Sequence, residues 1–132
     1  MDEPKIFACD PAPGCRYVAV LGPTSFETTM RNAQKLVDRL AGADYGSLVI
    51  DYRGAEPSLT PDQYTAFFRF ILSELARLDT VAYVYAPGTL MRAAHATRQL
   101  TAMGVKARAF GNWEEAAAFM GIKADDPFLR VA

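Results

Sequence analysis

The stretch that decides the fold is SLVIDYRGAEPSLTPDQ, residues 47–63. Ser47, Leu48, Val49 and Ile50 form a short, mostly apolar run that ends at Asp51. A run of that kind, rich in β-branched residues and without alternation, reads as a central strand covered on both faces. Thr60, Pro61, Asp62 and Gln63 then spell a helix start: an N-cap hydroxyl, a proline at the first helical position, an early acid and a capping-box glutamine. Buried strand, loop and capped helix in that order predict an α/β domain. In such a domain the loop beyond the strand is where ligands and partners are met, so residues 53–59 are the first candidate functional segment.

Working outward, residues 5–9 and 17–21 are strand candidates joined by a Pro/Gly-rich turn, which predicts an opening β-hairpin. Phe26, Met30, Ala33, Leu36, Val37 and Leu40 then recur at helical spacing behind a cap at Thr24 or Ser25, and Gly42 closes that helix. The helix that starts at Pro61 runs to about Ala76 with Tyr64, Phe67, Phe68, Ile71 and Leu75 on one face, while Phe70 and Leu72 fall outside that stripe. Residues 81–85 read as a strand, residues 86–89 as a turn into a helix ending near Met103, and Gly104 as its stop. A last strand over 105–110 precedes a closing helix, residues 113–120, capped at Gly111-Asn112 and ended by Gly121. The order is β-β-α-β-α-β-α-β-α. Right-handed crossovers then give parallel pairing in the later part, hence an α/β fold with a mixed sheet of about five strands and four helices. Residues 1–122 are expected to form one domain, and the tail 123–132, with Phe128, Leu129 and Val131, either docks on the body or meets a partner.

The whole composition agrees with a single domain of 132 residues, long enough to bury a sizeable core. Its formal net charge is -1 and the charges are scattered, which argues against nucleic acid or an anionic membrane as partner. No apolar run approaches the ~18 residues of a membrane span, and the first residues lack the basic-then-apolar plan of a signal peptide, so a cytoplasmic protein is expected. Cys9 and Cys15 flank the first turn, and a hairpin could set them opposite each other in a geometry that permits a disulfide. Without an export signal they are expected to be reduced structural thiols. A zinc site is not expected, since it needs about four ligands and the single histidine, His95, lies far along the chain.

Three segments resemble the STAS superfamily of sulfate transporters and anti-sigma-factor antagonists, in particular its small stand-alone bacterial members. They are Tyr17-Val-Ala-Val-Leu-Gly22, Leu48-Val-Ile-Asp51-Tyr-Arg-Gly54, and Ala107-Arg-Ala-Phe110-Gly-Asn-Trp-Glu-Glu-Ala116-Ala-Ala-Phe119-Met-Gly121. They are packing and capping signals, and none is a catalytic motif. The resemblance implies a STAS-like α/β fold and a non-enzymatic regulatory role through protein contact. In the antagonist branch a serine at the start of the helix after the third strand is phosphorylated by a partner kinase. Counting from Asp51, Thr60 occupies the equivalent place, but Leu59, Pro61 and Asp62 replace the Asp, Ser and Gly of the family's Asp-Ser-Ser-Gly motif.

The candidate sites follow from these readings. Thr60 and, in the same loop, Ser58 are candidate phosphorylation sites, although as an N-cap Thr60 is already explained by folding. Tyr64, Phe67, Phe68, Phe70 and Leu72 give the second helix more large apolar surface than one core-facing stripe requires. With Arg53 and Glu56 they make a candidate interaction surface for a protein partner or a homodimer. Gly88-Thr89 and Gly111-Asn112 precede helices at one sheet edge, where helix N-termini can hold an anion. A small-molecule module, binding an anion or an apolar ligand between those termini and the sheet, is the alternative function. Asp51 is expected to be structural, bonded to loop amides or Arg53. One histidine, no metal-ligand cluster and no activated nucleophile predict no enzyme, and no cofactor is implied.

Overall fold

The structure is a computed structural model and describes residues 5–56 and 58–131. Met1 to Pro4, Pro57 inside the candidate loop, and Ala132 at the end of the tail lie outside the described residues. The predicted hairpin is present and longer than its apolar pattern, with β1 (Lys5–Ala12) antiparallel to β2 (Cys15–Pro23). Gly14 takes φ 74° in the turn, a left-handed conformation open to glycine. The register corrects the expected thiol geometry: Cys9 lies opposite Tyr17 and Cys15 opposite Ala12, so the two sulfurs do not face each other.

Helix α1 (Phe26–Ala41) starts at Ser25, whose hydroxyl accepts the Thr28 amide hydrogen. Strand β3 (Ser47–Asp51), helix α2 (Pro61–Leu75), strand β5 (Thr80–Val84), helix α3 (Leu90–Ala102), strand β6 (Lys106–Phe110) and helix α4 (Trp113–Met120) follow as patterned. One strand is not foreshadowed by the pattern. Residues 55–56 form β4 (Ala55–Glu56), which pairs in parallel with Gly22 and Pro23 at the end of β2 and makes the sheet six-stranded rather than five. Two residues carry no period, so only the tertiary pairing reveals them. The main order is β1-β2-β3-β5-β6, parallel from β2 onward.

The pleat sends alternate residues to two different layers. Val18, Leu48, Ile50, Val81 and Tyr83 face α1, α2 and α3, while Tyr17, Ala19, Val49, Ala82 and Val84 face α4 and the tail. This double cover is why β3 and β5 are apolar at nearly every position. Each such Leu, Ile or Val contributes roughly 1.5–3 kcal/mol by leaving water.

Side-chain size sets how closely each helix approaches the sheet. Helix α3 brings Ala93 and Ala96, and α4 brings Ala116 and Ala117, and these small residues let both lie directly on the strands. Helix α1 packs chiefly on α2, whose Phe67, Phe68 and Ile71 are large, and the strands facing the gap present Ile6, Ala8, Val18, Val20 and Ile50. The large side chains of α2 hold α1 off the sheet and leave space between the layers.

Candidate functional site

The loop after β3 is where the sequence points to function, and most of its polar groups are spent on holding the chain together. The Asp51 carboxylate, fully buried, accepts from the Tyr17 hydroxyl, from the Arg53 amide at 2.9 Å and from Arg53 Nη2 at 2.7 Å. The same guanidinium donates to Asp126 in the tail at 2.7 and 2.8 Å and stacks on the Phe128 ring at 4.5 Å. Arg53, expected on an interaction surface, is thus a clamp that ties the tail to β3, and only 17% of its side chain is exposed. Burial by itself would lower its pKa, but the Asp126 and Asp51 carboxylates push it up. Gly54 makes room for this arrangement, since a Cβ there would come within 2.6 Å of Leu21 and 3.3 Å of the Phe128 ring.

Thr60 is the N-cap that its neighbours predict. Its hydroxyl accepts the Gln63 amide at 3.2 Å, and the Gln63 side chain accepts the Thr60 amide at 3.0 Å. Ser58 is exposed and crosses to the loop before α1, accepting the Thr24 amide at 3.1 Å and donating to the Thr24 carbonyl. The candidate helix N-termini are occupied by the chain itself. The Thr89 hydroxyl is buried and accepts the Ala86 amide at 3.1 Å, and Gly88 before it is exposed. Asn112, after exposed Gly111, caps the Glu115 amide at 2.9 Å, and Glu114 and Glu115 add two carboxylates where an anion would sit. Among the described residues no three metal-ligating side chains come together.

The aromatic surplus of α2 also goes inward. Phe68 is only 4% exposed, so its place on an interaction surface is corrected to the core. It stacks on Tyr64 at 6.3 Å and meets the His95 ring edge-on at 5.7 Å. Leu72 is half-buried against the same core, and Phe70 alone of the five faces solvent, at 38% exposure. Tyr64 and Phe67 are half-buried and line the space left under α1.

That space is a cavity of about 300 Å³ between α1, α2 and the first strands. Ile6, Ala8, Val18, Val20 and Ile50 make an apolar floor, and Ala33, Leu36, Tyr64 and Phe67 make the walls. Charged groups are confined to its two ends, and Thr29, Asn32 and Tyr52 also contribute to the lining. One end has Arg16, Lys35 and Arg39; the other has Thr24, Glu56, Thr89 and Arg92. Arg92 is already engaged, donating to the Leu59 carbonyl at 3.1 Å and covering the Tyr64 ring at 4.9 Å. Burial raises the Tyr64 phenol to about 12, the Arg92 charge opposing it. At the first end Asp10 accepts from Arg16 at 3.0 Å and from the Tyr45 hydroxyl at 2.9 Å. Burial pulls the Asp10 pKa up, but these bonds and the charges of Arg16 and Arg39 outweigh it and hold the carboxyl below its ordinary value.

A hairpin continued by parallel crossovers, with three helices on one sheet face and a fourth on the other, is the STAS-like α/β fold that the three sequence segments implied. The same fold is found in the crystal structure of an uncharacterized protein of the DUF3478 family, described as SpoIIAA-like, from Shewanella loihica PV-4. The two share 15% identity at a TM-score of 0.62, over 90% of this chain and 94% of the other. At that identity the likeness is one of fold. No family model and no curated protein matches the sequence. Among the described residues no helix is long and apolar enough to cross a membrane.

Proposed function

We propose that this domain is a non-enzymatic binding module for an amphipathic small molecule, held in the cavity between α1, α2 and the sheet. The observation that carries the reading is the cavity itself: about 300 Å³, apolar along its floor and walls and charged only at its ends. Its volume lies at the lower bound of small-molecule sites, roughly 300–1,000 Å³, and its lining has their usual character, apolar with a few placed polar groups. A protein-contact role through α2 and the loop 53–59 has less support, because Phe68 is in the core and Arg53 is committed to Asp51 and Asp126.

Titration of the protein with Nile red, an uncharged apolar dye, tests the proposal. Saturable fluorescence enhancement at one site is expected, and Val20→Trp, which puts an indole into the floor, is expected to abolish it while the protein still melts cooperatively. The proposal fails if the folded wild-type protein gives no saturable signal, or if Val20→Trp binds the dye as well as the wild type.

A further inference from the structure

The cavity is polarised, and its polarity specifies a ligand and an orientation. Among the described residues the one buried side-chain nitrogen or oxygen without a hydrogen-bond partner is Arg16 Nε, and Arg16 is one of the residues that line the cavity. A guanidinium that makes one ion pair, with Asp10, and keeps a second donor dry and unpaired is an incomplete arrangement. Arg39 and Lys35 line the same end, and the nearest carboxylate to the two guanidinium groups is again Asp10, 3.9 Å from Arg39. Among the described residues Asp10 is the one carboxylate within 4 Å of any of these three cations. The opposite end has no such excess, because Glu56 and Arg92 carry one charge of each sign there and Arg92 is already bonded to the loop.

Resting on the binding role proposed above, we infer that the ligand is an aliphatic monocarboxylate, its head on Arg16 and its chain running over Val18 and Val20 toward Tyr64. A carboxylate matches the edge of a guanidinium with two parallel acceptors and would satisfy the free Nε. A single negative charge fits better than a dianionic phosphate, which would crowd against Asp10.

Displacement of Nile red by dodecanoate and by dodecanol, at mildly alkaline pH, separates head-group recognition from apolar burial. Dodecanoate is expected to displace the dye at an about tenfold lower concentration than dodecanol, the worth of roughly one charge-assisted hydrogen bond. Arg16→Gln should bring the two to parity. Asp10→Asn, which frees Arg16 from its competitor, should widen the preference, and Glu56→Gln at the far end should leave it where it is. Equal potency in the wild type, or a preference that neither Arg16→Gln nor Asp10→Asn alters, overturns the inference. Should Arg16→Gln fail to fold, the Asp10→Asn comparison decides. Dye binding without a carboxylate preference defeats this inference alone, whereas absence of dye binding defeats the binding role as well.

Discussion

Arg53→Met removes the charge from the clamp while keeping a side chain of similar length on the Phe128 ring. The variant retains two of the groups that serve Asp51, the Tyr17 hydroxyl and the residue-53 amide at 2.9 Å. It loses the guanidinium bonds to Asp51 and the pair to Asp126. Because Asp51 is fully buried, its carboxylate is left without a counter-charge. Breaking a buried pair from one side costs roughly 3–5 kcal/mol, and the retained bonds place this case near 3. Asp126 is partly exposed on a tail that can turn to water, so its share adds only about 0–1 kcal/mol. The expected loss of about 3–4 kcal/mol corresponds to a fall in Tm of roughly 10 °C for a chain of this size. Urea and thermal melts of Arg53→Met, Asp51→Asn and the double variant measure it. The double variant should be less destabilised than the sum of the singles by about 2 kcal/mol, since an asparagine in place of Asp51 carries no charge to strand. A loss below about 1 kcal/mol for Arg53→Met would show that the clamp behaves as a surface ion pair, and the reasoning would be wrong.

Two further outcomes follow from the geometry. Ala33→Leu points into the cavity, so it should stabilise the protein by about 1 kcal/mol, roughly 2 from burying three carbons less the side-chain entropy lost, and should weaken Nile red binding; a destabilised variant would mean that the space is already filled. The tail clamp should open in acid. Burial raises the Asp126 pKa, but Arg53 and the Phe128 amide outweigh it and hold it below 3.8, so its stabilising contribution is present above that pH and is lost as pH falls through the folded value. Trp113, the only tryptophan, donates its indole hydrogen to the Ala124 carbonyl at 2.9 Å, so its emission should shift to the red in that range before the domain unfolds. An identical shift in Asp126→Asn would refute the assignment.

What the sequence discloses and what it hides divide by range of interaction. Thr60, Pro61 and Gln63 act within four residues of one another, and the capping box they predict is present with both of its bonds. The apolar runs of β3 and β5 are legible because burial on both faces removes every polar position. Arg53 reads as a surface residue because its decisive partner, Asp126, stands 73 residues away, and nothing local marks a pairing of that range. Phe68 reads as surplus when α2's aromatics are counted against a single core stripe, whereas this helix also walls a cavity and packs on His95. The cavity itself is invisible in the sequence: it arises where the large side chains of α2 hold α1 off the first strands, and these elements meet only in three dimensions.

The Tyr17, Asp51, Arg53 and Asp126 chain has a consequence for the time course of folding. It joins the first hairpin, the centre of the sheet and the C-terminal tail through partners 34 and 73 positions apart in sequence. Closing so wide a loop costs entropy before it returns any contact, so the tail joins a sheet that is already assembled. Interactions that form after the barrier act on the rate of leaving the native state and hardly on the rate of reaching it. In a chevron plot of Arg53→Met the unfolding limb should therefore rise while the folding limb stays close to that of the wild type, making the guanidinium a brake on opening.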